Sequence, residues 1–315
     1  MTKEYIIAVD IGGTNVEAAL CRLDGEIVAS DEFSTQDYVD TGLIEELSSR
    51  IQSILQQQNV SIDQVSSAGL GVPGVVNIVE GIVYSAPNLK WEHYHVKKAL
   101  EEKLKIPVFV ENDVNTGLLG EAVYGAAKGK RDVILIMVGT SIGAGLMLDG
   151  KLYRGSNFGA GEIGYMISDC DAADKGFTPV KEGYGFLSSK MGGYPIGKAY
   201  SDQSGKLTKT DEVFQLAQQG DELAVSIIDE SVLHLGMAIT NMVSLLNPEL
   251  VLIGGGVGKS AEKYLHKIDQ MLKNNIPFPV ELGISALADQ SVLYGAAALC
   301  QKQYLNENQN YCTLF

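Results

Sequence analysis

Tyr5-Ile6-Ile7-Ala8-Val9-Asp10-Ile11-Gly12-Gly13-Thr14-Asn15 begins as an apolar run and ends in an acid and a glycine turn. The run predicts a strand, and the turn predicts a phosphate-sized bend beside the Asp10 carboxylate. Val133 to Val138 repeats the scheme and runs into Gly139-Thr140-Ser141-Ile142-Gly143, and Leu250 to Ile253 runs into Gly254-Gly255-Gly256. Three such turns in one chain point to a nucleotide held from two sides.

With 315 residues, 45% hydrophobic and 20% charged, the chain has enough apolar surface for one large or two medium cores. Its 24 basic and 39 acidic residues leave a net charge of −15. That balance argues against nucleic acid and anionic lipid as partners, since both are bound mainly by Lys and Arg. A phosphate site must then be made locally, from backbone N–H groups and a bound cation. Cys21, Cys170, Cys300 and Cys312 are scattered, with no CxxC and no signal peptide ahead of Ile6, which predicts a reducing, cytoplasmic setting. The longest apolar stretches are strand-length, short of the roughly twenty residues that span a bilayer, so no membrane partner is expected.

Residues 5–30 read as strand, turn, strand, strand, with Asp24-Gly25 as a hairpin turn. Leu43, Ile44, Leu47, Ile51 and Leu55 give 41–58 the spacing of an amphipathic helix. Ser67 to Val72 reads as a strand, 95–105 as a charged helix and Ile106 to Val110 as a buried strand. The second half repeats the order, with a hairpin at Asp149-Gly150, a long helix over 221–246 ended by Asn247-Pro248, and a strand at 249–253. A duplicated α/β unit is the economical reading. The stretch 168–210, rich in Gly, Ser, Asp and Lys, reads as a loop-rich insertion, and Trp91 falls in a loop over 87–97.

Asp10 at a strand end, with the N–H groups of Gly12 to Thr14 facing an anion, suits a metal–phosphate complex, although a simple hairpin fits the same letters. Thr140 and Ser141 add hydroxyl donors at the second turn. Gly254 to Gly256 lack the GxGxxG dinucleotide spacing and read as room for an adenosine against backbone. Glu111-Asn112-Asp113 ends a buried strand, where Asp113 suits a general base and Asn112 a substrate-orienting amide; the alternative is that Asp113 caps the helix that follows. Glu162 and Tyr165, between glycines, suit sugar hydroxyls, with a half-buried core aromatic whose hydroxyl is satisfied as the other reading of Tyr165. Asn88 is a further polar candidate or a turn residue. The four histidines lack ligand spacing and are given no metal role.

Taken together, these motifs resemble the ROK family (repressor, open reading frame, kinase) of sugar kinases, in the actin-like ATPase superfamily. The matching strings run nearly end to end: Asp10 to Asn15, Gly71 to Gly74, Ala86 to Leu89, Glu111 to Asn115, Gly139 to Gly143, Gly150 to Gly155, Ala160 to Gly164 and Gly254 to Gly256. The resemblance implies an α/β fold of the actin-like, ribonuclease H-like ATPase type, with two lobes around a central cleft. The lobes would be 1–114, completed by a C-terminal helix at about 292–315, and 115–291. It further implies ATP- and Mg²⁺-dependent phosphorylation of a sugar 6-hydroxyl with Asp113 as base. Gly74, Asn88, Asn112, Asp113, Glu162 and Tyr165 would hold the sugar. Gly12, Gly13, Thr14, Asn15, Gly139, Thr140, Ser141, Gly143 and Gly254 to Gly256 would hold ATP, with Asp10 helping to order the Mg²⁺ shell through water. Family members are commonly homodimers.

Two departures from the family pattern bear on substrate. Tyr165 stands where the family has a zinc-binding histidine, and 166–190 has only Cys170 of the cysteine cluster, so no structural zinc is expected. The family's sugar-binding glutamate after that cluster is also missing, with Ser188 nearest its place. Loss of that contact leaves room for a substituent, and the pattern resembles the β-glucoside kinase branch, which phosphorylates disaccharides such as cellobiose. N-acetylmannosamine kinase, glucokinase and fructokinase remain alternatives, because pocket shape sets the sugar. A non-catalytic sugar sensor or transcriptional regulator is the alternative of a different class. Regulators of the family carry an N-terminal DNA-binding domain, whereas here few residues precede the first strand.

Overall fold

The opening run forms strand β1 (Tyr5–Ile11), and the turns after it lead into β2 (Asn15–Arg22) and β3 (Ile27–Ser34). Helix α1 (Leu43–Gln57) and β4 (Val65–Val72) follow, then short strands β5 (Val75–Asn77), β6 (Ile82–Ala86) and β7 (Trp91–Tyr94). Helix α2 (Val96–Leu104) leads to β8 (Val108–Asn112) and α3 (Asp113–Tyr124). The second half opens with β9 (Val133–Val138), β10 (Ile142–Leu148) and β11 (Lys151–Leu152). Helices α4 (Cys170–Lys175), α5 (Phe186–Met191), α6 (Gly193–Ser204), α7 (Thr210–Gln218) and α8 (Glu222–Leu246) come next. The chain closes with β12 (Leu250–Gly254), α9 (Gly256–Ala261), α10 (Leu265–Asn275), β13 (Glu281–Ile284) and α11 (Ser291–Leu299). This computed structural model describes residues 2–175 and 185–301.

Two five-stranded sheets have the orders β3-β2-β1-β4-β8 and β11-β10-β9-β12-β13, and β5-β6-β7 form a third, small sheet. β1 runs antiparallel to β2 and parallel to β4, and β9 likewise antiparallel to β10 and parallel to β12. The two glycine turns therefore occupy equivalent places in a duplicated α/β unit.

Alternation along β1 explains its unbroken apolarity. Ile7, Val9 and Ile11 join the core beneath α1 and α2, while Ile6 and Ala8 meet Leu293, Ala296 and Ala297 of α11. A strand covered on both faces needs apolar residues at every position. Asp10 follows on the α11 side, where the covering ends.

By packing, the chain divides into two compact units: residues 1–129 with 151–160 and the stretch from Gln290 on, and residues 130–150 with 161–289. The first unit therefore extends past the expected division at 114/115, because α3 packs on α11. The two helices approach at glycines: a Cβ on Gly120 would lie 2.2 Å from the Ser291 carbonyl oxygen, and one on Gly295 1.7 Å from that of Thr116. Helix α11 ends at Leu299, and 302–315, the rest of the expected C-terminal helix, lies outside the described residues.

Several local expectations are corrected. The stretch 168–210 contains α4, α5 and α6, with Met191, Ile196 and Tyr200 buried; its Gly192 and Gly193 mark a junction between helices rather than a loop. Its residues 176–184 lie outside the described residues. Trp91 begins β7 and is buried, stacked on Tyr94 at 4.4 Å, so it packs the first core. Helix α8, at 25 residues, is by length and composition apolar enough to cross a membrane, unlike the strand-length runs noted above. Ile228, Val232, Leu235 and Ile239 are buried inside the second unit, which accounts for its apolarity.

Replacing Gly295 by Ala is expected to destabilise the protein by about 1–3 kcal/mol through forced separation of α3 and α11. Urea unfolding would show a lower midpoint; an unchanged midpoint contradicts this packing.

Candidate active site

In the first unit, strand register draws a row of acids across the sheet. Asp10 lies opposite Glu17 on β2 and Gly71 on β4, and Gly71 lies opposite Glu111 on β8. Burial, then the charges of Asp113 and Glu17, push the Asp10 carboxyl up to about 8. No hydrogen bond reaches that carboxylate among the described residues. A crowded, undonated carboxylate among other acids is a poor site for a lone charge and a fitting one for a hard divalent cation or its water shell, since Mg²⁺ takes oxygen ligands.

The turn after Asp10 is fixed from behind. Thr35 Oγ1 donates to Gly12 O at 2.8 Å, Thr35 N to Thr14 O at 2.8 Å and Gln36 Nε2 to Gly13 O at 2.8 Å. Gly12 N is spent on Asn15 O at 2.9 Å, so the expected row of three amides reduces to two. The N–H groups of Gly13 and Thr14 have no acceptor among the described residues, which leaves them for an anion. The Asn15 side chain donates to Glu32 at 2.6 Å and turns to β3 instead. Exposed Asn88 stands at this turn: a Cβ on Gly13 would lie 3.3 Å from its Nδ2.

Asn112, not Asp113, caps α3. Its Oδ1 accepts from Asn115 N at 3.1 Å, while its Nδ2 donates to Gly74 O at 3.0 Å and to Asp113 Oδ1 at 2.9 Å. Asp113 is the first helical residue, and its Oδ1 also accepts from Val114 N at 2.9 Å. The capping alternative for Asp113 is thereby removed. Gly74 takes part through its backbone: its φ is +90° and a Cβ would lie 2.0 Å from the Ser85 carbonyl oxygen, so only glycine brings this carbonyl to Asn112. Asp10, Asn112 and Asp113 thus share one corner of the first unit.

In the second unit, Gly139 N donates to Ser141 O at 2.9 Å and Gly139 O accepts from Gly193 N at 2.8 Å. Thr140 is exposed at the turn. Ser141 Oγ bonds Ser188 Oγ at 2.8 Å, and Ser188 is buried. Ser188 therefore supports the phosphate-sized turn. Gly143 sits inside β10 opposite Met137, a sheet position. Gly254 ends β12, Gly255 bends at φ +81° and Gly256 opens α9.

Glu162 precedes a short 3-10 turn, Ile163–Tyr165, with no capping bond from its side chain. Although the residue as a whole is exposed, desolvation of its carboxyl by the surrounding protein raises its pKa. Tyr165 is 48% exposed, which fits a half-buried aromatic as well as a surface one. Among the described residues no group of three or more His, Cys, Asp and Glu side chains is placed to hold a metal ion. His234 bonds Ser168 at 2.8 Å instead. Sequence reasoning missed Arg154, whose guanidinium pairs with buried Glu111. An arginine 43 positions from its partner leaves no local signal.

The sequence profile of the ROK family matches residues 6–303. The chain belongs to the ROK family. A glucokinase of Halalkalibacterium halodurans is 31% identical over 96% of this chain and 97% of its own length. A xylose repressor of Caldicellulosiruptor bescii is 26% identical over 93% of this chain and 77% of its own. The crystal structure of a ROK family glucokinase from Streptomyces griseus, in complex with glucose and AMPPNP, superposes with a TM-score of 0.79 at 25% identity, covering 94% of this chain and 98% of that one. The α/β architecture here is thus that of the ROK actin-like ATPase fold.

The Asp10 carboxyl generates a pH prediction. Its ordinary value is 3.8, so between about pH 4 and 8 the folded protein holds a proton that the unfolded chain releases, and metal-free stability falls as pH rises. Asp10→Asn removes this cost. Urea titrations without Mg²⁺ should find the variant more stable than the parent at pH 7, by up to about 4 kcal/mol, and equal to it below pH 4. A difference that does not vary with pH contradicts the assignment.

Proposed function

We propose that this ROK family member transfers the γ-phosphoryl group of ATP to the 6-hydroxyl of a β-glucoside, with cellobiose as the type substrate. The chain is a sugar kinase; the choice of acceptor is the finer step. The observation that carries the chemistry is the corner at Asn112. There Asp113 is relieved of capping, its Oδ1 is oriented by an amide that is itself pinned, and its carboxylate is set to accept a proton.

Asp113 takes the hydroxyl proton as the sugar oxygen bonds to the γ-phosphorus and the bond to the ADP oxygen breaks. Asn88, Asn112 and the Gly74 corner are assigned to orienting the sugar, with Glu162 assigned as an acceptor and Tyr165 as ring surface. The N–H groups of Gly13 and Thr14, and the hydroxyls of Thr140 and Ser141, are assigned to phosphate oxygens. Gly254 to Gly256 are assigned to the adenosine. Bound Mg²⁺ would supply neutralisation of phosphate charge, with Asp10 holding its water shell.

Two features support a substituted sugar. Tyr165 replaces the family's zinc-binding histidine and is exposed, and Ser188, nearest the place of the missing glutamate, is bonded to Ser141. The 31% identity to a glucokinase favours glucose as a second reading. We also propose a cytoplasmic homodimer without structural zinc, on the family resemblance and the free cysteines Cys21, Cys170 and Cys300.

An ATP-coupled assay over glucose, cellobiose, gentiobiose, N-acetylmannosamine, N-acetylglucosamine and fructose tests the reading, with the phosphate position read by NMR. The highest kcat/KM is expected for a β-linked disaccharide phosphorylated at C6. Preference for glucose would assign a glucokinase, and inactivity towards every sugar would restore the regulator reading. Elemental analysis should find no stoichiometric zinc; one equivalent per chain would contradict the account of 166–190.

A further inference from the structure

Next to the proposed base lies a buried ion pair, Glu111 with Arg154. Glu111, at the end of β8, is 2% exposed, and the Arg154 side chain is 14% exposed. The two oxygens of Glu111 are used differently. Oε2 receives Arg154 Nε at 2.7 Å and Nη2 at 2.6 Å, while Nη1 reaches Leu152 O at 3.3 Å. Oε1 receives the backbone N–H of Asn112 at 3.0 Å and Nδ2 of Asn115 at 3.2 Å. Asn115 is itself buried, and its Oδ1 finds no donor among the described residues, so its amide is oriented from the Nδ2 side.

We propose that Glu111 and Arg154 are positioning residues for the reaction, setting the geometry of Asp113 through Asn112; this rests on Asp113 being the base. Arg154 fixes one oxygen of Glu111. The other fixes the backbone of Asn112 and one residue in the first turn of α3. The Asn112 side chain, so held, gives one N–H to Gly74 O and one to Asp113 Oδ1. Removing Arg154 leaves a buried carboxylate without its cation, two residues from the base, and a buried charge that loses its partner rearranges or draws in water. Displacement of the Asn112 amide by even a fraction of an ångström misdirects Asp113. The guanidinium fork matters as well as its charge, because Nε and Nη2 converge on one oxygen while Nη1 holds the backbone of Leu152.

The test compares Arg154→Met, Arg154→Lys and the double variant Glu111→Leu/Arg154→Met in the parent and in an Asp113→Asn background. In the parent background, Arg154→Met should lower kcat about 10- to 100-fold, with KM for sugar and ATP changed less than about threefold. Arg154→Lys should recover part of the loss. If Arg154→Met does not fold, the double variant removes both buried charges and carries the test; it should fold with a Tm lowered by the loss of the Glu111 acceptor, and lose kcat. In the Asp113→Asn background the same changes should cost little more, because their effect passes through the missing carboxylate. Parental kcat in the double variant, or equal losses in both backgrounds, would overturn the proposal and leave a purely structural ion pair. An Asp113→Asn protein with the parental rate would overturn the base assignment and this inference together.

Discussion

The amide of Asn112 is bonded in three directions, and the chemistry of the first unit depends on that junction. Its oxygen caps α3, and its two N–H groups reach the Gly74 backbone and the Asp113 carboxylate. Strand, turn and helix meet at one side chain. A capping bond contributes about 1 kcal/mol to helix stability, but here it also fixes where the helix starts. That start makes Asp113 a helical residue with an oriented carboxylate and not a cap.

An acidic chain faces a particular difficulty in handling phosphate, and its answer is local. The net charge of −15 repels anions at long range. At short range the turn after β1 offers two backbone amides whose carbonyls are tied back by Thr35 and Gln36, and the turn after β9 is braced by Ser188 and Gly193. Neither turn needs a lysine. Crowding of Asp10 by Asp113 and Glu17 leaves a deficit of positive charge that a divalent cation would fill.

Much of this was legible in the sequence, for physical reasons. Apolar runs ending in glycine turns located β1, β9 and β12, and helical periodicity located α1 and α8. Short elements were less visible. β13 has four residues and β7 has four, too few for alternation to rise above the local noise of composition. The helices of 168–210 were hidden because glycine punctuates them at their junctions, where it also signals loops. At the end of β8, Asn112 and Asp113 were legible as polar candidates, but the bond between them was not. Both residue types are good caps, and only the register of the helix start distinguishes them. The partners of Ser188 and Arg154 could not be read. Those partners, Ser141 and Glu111, are brought near by folding and not by spacing.

The family fixes the reaction more firmly than the sugar: the two glycine turns follow the central strands β1 and β9, whereas Glu162 and Tyr165 stand on an exposed turn. The central claim is that Asp113 accepts the hydroxyl proton. Single-turnover phosphoryl transfer by Asp113→Asn, with sugar affinity measured by calorimetry on the same sample, tests it most directly. The account predicts a rate lower by about 10²- to 10⁴-fold with the sugar still bound at near-parental affinity. Transfer at the parental rate would contradict it.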